Sequence, residues 1–342
     1  MIDYLRDCAP PAPGETRELL PGLHWVRMPL PSPLRHINLW LLDDGTAWTI
    51  VDCGIGTEPL QHWWQRILVR TLSGRPVTAV VATHLHSDHL GLAHWLCKHL
   101  QAPLRMSAGD YRLAERMRCA TADSYGEQAA AHLVRHGVAD AAVLGAVRAQ
   151  PSPYPELVPA LPPLGQALAD GDLLRIGGHD WTAIAGRGHS PEHLAFHCAA
   201  LNVLIAGDML LPRISTYVGV SALEPDANPL PEFLASIDRF LALPNDTLVL
   251  PSHGEPFRGI RARVAALHAH HQQRLEQVRE ACARPRSAAE IVPLVFTRSL
   301  DARQYALALG ETLAHLHALE AEHVLRRETS GSGVNRYVVS SS

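Results

Sequence analysis

Residues 84–89 read His84-Leu85-His86-Ser87-Asp88-His89, three imidazoles and one carboxylate in a single short run. A random chain with the same 21 histidines among 342 residues would contain the H-x-H-x-D-H pattern roughly 0.004 times, so composition alone does not account for it. Neutral imidazole and carboxylate are the ligands of a divalent transition metal. In an extended turn His84 and His86 point the same way, because side chains repeat every two residues. Asp88 and His89 fall on the next bend and can face a second ion. The spacing therefore predicts two metals held by one loop.

Further candidates follow later apolar runs, where an α/β sheet places its functional loops. Asp52 ends Thr49-Ile50-Val51, and His189 follows Gly186-Arg187-Gly188. Asp208 follows Ile205-Ala206-Gly207, and His253 follows Val249-Leu250-Pro251-Ser252. His193, four residues beyond His189, is placed to support the ligands from behind. His62, His94, His99, His132 and His136 sit in helical stretches and read as structural.

The elements that position these residues are legible from periodicity. Strands are expected at 23–28, 37–42 and 47–51, with Asp43-Asp44-Gly45 as a turn. Leu60, Trp63, Trp64, Ile67 and Leu68 mark a helix over 58–72, and 77–83 reads as a buried strand. A helix over 90–100, a strand over 103–107 and a helical stretch over 110–137 follow. Residues 139–165 carry Pro151, Pro153, Pro155, Pro159, Pro162 and Pro163, and read as an irregular connector of the kind that forms lids. Strands at 173–176, 181–185, 193–198 and 203–206, a helix over 231–243 and a strand over 247–250 complete this half. Beyond 259 the text turns helical, over 260–283, 287–295 and 301–323, and ends in a hairpin of 324–327 with 336–339. These readings divide the chain into an α/β domain over 1–258 that holds all of these candidates, with a helical and Pro-rich insertion at 108–165, and a winged-helix-like domain over 259–342.

In their order along the chain, Asp52, the 84–89 run, His189, Asp208 and His253 resemble the five motifs of the metallo-β-lactamase-fold hydrolases. The resemblance spans roughly Leu20 to Arg258 and implies an αββα four-layer sandwich. It implies that His84, His86 and His189 bind one divalent ion, that Asp88, His89 and His253 bind the other, and that Asp208 bridges both. Asp52 would orient the site without touching metal. Three imidazoles at one ion, and two with a carboxylate at the other, suit Zn2+, and iron or manganese fit the same ligands. Over its full length the chain is most similar to the lactamase-beta-like-2 subgroup, which adds a C-terminal winged-helix-like domain. Ile37-Asn38, Pro251-Ser252-His253-Gly254, and His270, Arg274 and Gln277 carry that likeness. Ser252 departs from it where glycine is usual.

The chemistry expected from such a centre is hydrolysis by a hydroxide bridging the two ions, with Asp88 and Asp208 as catalytic carboxylates. A thioester or related activated acyl bond is the leading substrate, because a thiolate leaves without a strong general acid and the motifs offer none. Arg213 and Tyr217, which follow the Asp208 loop, are read as shaping the pocket. The competing readings are a lactonase, a single-strand endoribonuclease like the mammalian member of the subgroup, and a ligand-sensing module without catalysis.

Composition narrows the partners. With 47% hydrophobic and 19% charged residues the chain is an ordinary globular one. No stretch of about 18 apolar residues suggests a membrane span, and Met1 to Gly14 lacks the apolar core of a signal peptide. The six cysteines form no Cys-x-x-Cys pair. A cytoplasmic protein with reduced thiols is expected. Residues 258–342 hold 12 arginines against 8 acidic residues, yet the helix over 301–323 has four acidic residues and only Arg303, the wrong sign for phosphate contact. Duplex DNA is therefore not expected, single-stranded RNA stays open, and the C-terminal leucines suggest a homodimer or simply that domain's own core.

Overall fold

The structure, a computed structural model, describes residues 1–5, 8–120, 122–149 and 152–340. It forms two compact units, each assembled from separate stretches of chain. The first comprises Met1–Cys119, Pro153–Thr216 and Ser236–Val264, and the second Ala120–Ser152, Tyr217–Ala235 and Ala265–Ser342. The segment read as an insertion thus contributes 120–152 to the second unit and its remainder to the first. Pro151 lies outside the described residues.

Two seven-stranded sheets build the first unit. One runs Thr16–Leu20, Leu23–Pro29, His36–Asp43, Trp48–Val51, Val77–Val81, Leu104–Ser107 and Leu164–Leu168 in spatial order. Its first four strands form an antiparallel meander and the rest pair in parallel. The other runs Asp3–Tyr4, Phe257–Arg258, Leu248–Pro251, Val203–Gly207, His193–Cys198, His179–Gly186 and Leu173–Ile176. Within it only Val203–Gly207 and Leu248–Pro251 are parallel.

The strand period of two divides the side chains between two apolar layers. Trp25, Trp40, Leu42, Val51 and Val81 meet Trp181, Leu194, Phe196, Ile205 and Leu250 between the sheets. Their neighbours Val26, Leu39, Leu41, Ile50 and Val80 point the other way, onto Leu60, Trp64 and Ile67 of the helix Glu58–Ile67 and Leu96 of Ala93–Leu100. Each fully buried leucine or isoleucine contributes about 1.5–3 kcal/mol. Burial on both faces explains the nearly unbroken apolar text of His36–Asp43.

Several elements depart from their expected bounds for identifiable reasons. The helix from Glu58 passes into a π-helical turn, Leu68–Leu72, and stops at Ser73 in the left-handed region, φ 52°. The expected helix over 90–100 is two pieces, Ser87–Leu90 and Ala93–Leu100. Between them Gly91 packs so closely that an added Cβ would lie 2.4 Å from the Gly56 nitrogen. Within 139–165 the chain is more regular than its prolines suggest. Asp140 Oδ1 accepts the Ala142 and Val143 N–H groups at 2.8 and 3.1 Å, starting the helix Ala141–Ala149. Tyr154–Leu157 is a short helix and Leu164–Leu168 the edge strand.

The second unit is helical. It contains Ala122–Arg135 and Ala141–Ala149, the part of Ile260–Ala281 from Ala265 onward, Ala288–Val295 and Ala302–Ala321. Ser287 with Glu290, and Asp301 with Gln304, form capping boxes that start the last two helices. A hairpin of Leu325–Thr329 with Asn335–Val339 follows, tied to the chain before Ser287 by a bridge between Arg286 and Tyr337. Among the described residues no helix is long and apolar enough to cross a membrane. Cys53, Cys97, Cys198 and Cys282 are free and buried, whereas Cys119 is exposed.

Candidate metal centre

Seven of the side chains singled out in the sequence come together at the strand ends of the first unit. His84, His86, His189 and Asp208 form one cluster, and Asp88, His89 and His253 a second, with the ligand-type atoms of each within 4.8 Å of one another. In the first, His84 Nε2 lies 2.8 Å from His86 Nδ1 and 3.2 Å from His189 Nε2. In the second, Asp88 Oδ2 lies 3.4 Å from His253 Nε2 and 3.9 Å from His89 Nε2. Asp208 divides its carboxylate between them. Its Oδ2 is 3.4 Å from His189 Nε2, and its Oδ1 is 3.6 Å from His89 Nε2 and 3.5 Å from His253 Nε2.

Local structure explains the aim of each ring. After the strand Val77–Val81 the Thr83 N–H turns to Asp52 Oδ1 at 2.8 Å, which ends strand pairing and opens the loop. The helical turn Ser87–Leu90 then carries Asp88 and His89 in its first residues. Asp52, at φ 63°, holds a backbone conformation that only glycine adopts freely. Its Oδ2 accepts the His89 Nδ1–H at 2.8 Å, leaving His89 Nε2 facing Asp88 and Asp208. His253 is set the same way, its Nδ1–H donating to the His36 carbonyl at 2.8 Å. His193 accepts the Asp208 N–H on Nε2 at 3.1 Å.

Sequence reading did not single out four of the groups that hold this arrangement. The Thr83 hydroxyl lies 2.9 Å from Asp52 Oδ2 and 3.0 Å from His84 Nδ1. His36 accepts the Gly254 N–H on Nε2 at 3.0 Å while its carbonyl orients His253. Asn38, noted only for its likeness to a family motif, donates from Nδ2 to the Pro251 and Gly254 carbonyls at 2.8 and 2.9 Å. It thereby fastens the His253 loop to the first sheet. The fourth is Asp110, fully buried beside the 84–89 loop. A polar residue following a strand was the available signal for Thr83 and Asp110.

The electrostatics suit cations. Burial, reinforced by neighbouring imidazoles, keeps His84 and His193 well below the usual histidine range, and burial and His189 bring His86 down to about 3. Burial opposes charge on His89 and His253 too, but there the carboxylates prevail. Asp52, Asp208 and Asp88 push His89 well up, and Asp208 and Asp88 push His253 up to about 10. His89 Nε2, His253 Nε2 and Asp208 Oδ1 are buried with no hydrogen-bond partner. Buried polar atoms left this way demand a partner, and three aimed at a shared space beside carboxylates fit metal ions.

Arg213 and Tyr217 belong to neither cluster. Arg213 is exposed, its guanidinium 4.4 Å from the Tyr4 ring centre and its Nε 3.5 Å from Glu255 Oε2. Tyr217 falls in the second unit, where its hydroxyl would lie 2.6 Å from a Cβ added at Gly310.

The chain belongs to the metallo-beta-lactamase superfamily, whose family model matches residues 32–253. A second model, described as the metallo-beta-lactamase-like C-terminal domain, matches residues 275–340. The crystal structure of a beta-lactamase domain protein from Burkholderia ambifaria superposes with a TM-score of 0.92 at 49% identity, covering 99% of this chain and 98% of that one. The probable metallo-hydrolase YqjP of Bacillus subtilis is 22% identical over 327 residues, 90% of this chain and 95% of that protein. A hydroxyacylglutathione hydrolase of Cereibacter sphaeroides is 37% identical over 93 residues, covering 27% of this chain and 34% of the relative. The architecture is thus the metallo-β-lactamase sandwich with a C-terminal helical domain, and the protein is a member of a metallo-hydrolase superfamily.

Proposed function

We propose that the protein is a dinuclear-metal hydrolase of thioesters or closely related activated acyl bonds. The observation that carries the reading is the division of Asp208, one carboxylate oxygen toward each of two clusters of ligand atoms. His84, His86 and His189 would hold one ion, Asp88, His89 and His253 the other, and Asp208 both. The imidazole-rich donor set suits Zn2+, with iron or manganese as the alternatives. Divalent ions bound by these side chains would lower the pKa of a water to give hydroxide at neutral pH and would offset charge developing on the acyl oxygen.

The chain's own groups do the rest. Asp52 and the His36 carbonyl fix the tautomers of His89 and His253, so that both present Nε2 inward. Asp88, whose Oδ1 is not committed to His253 or His89, accepts and orients the proton of the attacking water. With all seven side chains turned to the two clusters, the centre offers the leaving group no separate acid. A thiolate, which departs without one, is the leaving group that fits. The partial likeness to hydroxyacylglutathione hydrolases, enzymes named for a thioester-type substrate, points the same way. The C-terminal hairpin that follows three helices fits a winged-helix-like module, read here as a packing or dimerising element.

The test is thiol release by zinc-loaded protein across acyl-CoA and acyl-glutathione esters, with Asp88→Ala as the control. Release lost in the variant is the expected result. Release no greater than that of the variant would sink the thioester assignment and direct the assay to lactones and single-stranded RNA.

A further inference from the structure

The peptide group of Leu85 lies between two candidate ligands, His84 and His86, and is held at both ends. Its N–H donates to Asp110 Oδ1 at 3.0 Å, and its carbonyl accepts the Tyr154 hydroxyl at 2.6 Å. The other oxygen of Asp110 reaches across to the loop of the third histidine. Asp110 Oδ2 accepts the Glu192 N–H at 2.7 Å and the Ser190 hydroxyl at 3.1 Å, immediately after His189. Ser107 adds a hydroxyl at 3.3 Å. One buried carboxylate thus receives four donors from three chain segments, and those segments include the ones that carry His84, His86 and His189.

The second cluster is supported by different groups. His89 is oriented by Asp52, and His253 by the His36 carbonyl, with Asn38 fastening its loop. None of Asp110's hydrogen bonds reaches the residues bearing Asp88, His89 or His253. The supports of the two clusters are therefore separable, although Asp208 and Thr83 touch both.

We infer that Asp110 is a positioning residue for one ion alone, setting retention at the His84/His86/His189 cluster and leaving the Asp88/His89/His253 cluster intact. The inference rests on the dinuclear reading above. Asparagine is the informative replacement. It keeps the shape of the side chain but puts an amide donor where a carboxylate oxygen accepts, so that a donor meets the Glu192 or Leu85 N–H. Loss of an outer hydrogen-bond partner of this kind weakens metal affinity by about 10–100-fold. Asp52→Asn is the mirror-image variant, acting on the other cluster.

The experiment loads the full chain with Co2+ and reads metal per chain, affinity by chelator competition, and the visible absorption of the bound ion. Wild type is expected to hold two ions. Asp110→Asn and Asp52→Asn should each retain one under a chelator concentration that wild type resists, with different absorption spectra, and the double variant none. Excess Co2+ should restore the second ion to either single variant. Should Asp110→Asn lose both ions together, keep both with unchanged affinity, or should the double variant still hold one, the selective role is overturned. A wild type that never exceeds one ion overturns the dinuclear reading and the inference with it. If Asp110→Asn does not fold, Ser190→Ala removes one of the donors to Asp110 Oδ2 and leaves the carboxylate in place. It should weaken the same ion, and unchanged affinity in that variant overturns the inference.

Discussion

The Nε2 of His193 accepts a hydrogen bond from the backbone N–H of Asp208 at 3.1 Å. This fixes the start of the loop whose carboxylate serves both clusters, and it requires a neutral ring, which burial supplies by holding His193 well below the usual histidine range. The approach is close because residue 207 is glycine. At φ 54°, a Cβ on Gly207 would lie 2.3 Å from His193 Nε2.

Replacing His193 with leucine leaves the Asp208 N–H buried without a partner, a loss of about 1–3 kcal/mol. Thermal unfolding should show it, and metal affinity should fall in parallel. Gln, which returns a carbonyl acceptor, should recover part of both. Gly207→Ala should destabilise through the same contact. A double-mutant cycle of Gly207→Ala with His193→Ala should therefore be clearly less than additive, and additivity would remove the contact as the cause.

Metal removal should lower stability as well as activity. Without cations the centre keeps the buried Asp52 and Asp208 and the half-buried Asp88 beside two histidines that those carboxylates hold charged. An ion that binds only the folded chain adds about 4 kcal/mol at a free concentration 1,000 times its Kd. Exhaustive chelation should lower Tm, and readdition of Zn2+ should restore it in a concentration-dependent way. A Tm that ignores chelator would speak against ions at this centre.

How far this site was readable depends on whether its determinants are local. The 84–89 run is contiguous, Asp52, Asp208 and His253 follow apolar runs, and His189 follows Gly186-Arg187-Gly188 just beyond a strand, so spacing and strand endings were enough to select them. The meander and both hydrophobic layers follow from nearly unbroken apolar runs such as His36–Asp43, whose side chains fill both faces of the sheet. Asn38 and Asp110 escaped because their meaning lies in partners far along the chain, 216 residues away for Asn38 and Gly254 and 82 for Asp110 and Glu192. The division of the chain into units was hidden for a similar reason. Residues 120–152 belong with the C-terminal helices, and no local pattern within that segment announces a partner so distant in sequence.

Acid should destabilise the second unit through its histidines. Burial brings His136 and His271 down to about 3 and His315 to about 4. The His315 Nδ1–H donates to the Glu311 carbonyl at 2.7 Å, so Nε2 accepts from His271 Nδ1 at 3.2 Å only when His315 is neutral. Above the ordinary histidine pKa of about 6.5 both folded and unfolded chains are neutral there, and these groups contribute no pH dependence. Below it the unfolded chain takes up protons that the folded chain refuses. Stability should fall from about pH 6.5 towards pH 4, by up to about 1.4 kcal/mol per pH unit for each such histidine. Denaturant unfolding across that range should show a slope that flattens in His136→Phe, and an unchanged slope would discard His136 as a contributor.

Asn38 offers a test of how the His253 loop is held. Its carboxamide donates to the Pro251 and Gly254 carbonyls, and its Oδ1 accepts from Trp25 Nε1 at 2.9 Å and Arg27 Nε at 3.0 Å. All four partners are lost together in Asn38→Ala, and the buried Trp25 and Pro251 groups are left without them. Asn38→Asp keeps the acceptor but not the donors, so it isolates the link to the His253 loop. The expected result is a lower Tm in both variants, with weaker metal binding in each because His253 is freed to move. Should Asn38→Asp bind metal as tightly as wild type, the fastening of the loop would rest on the backbone bond from the Asn38 N–H to the Ser252 carbonyl, 2.7 Å long and untouched by either substitution.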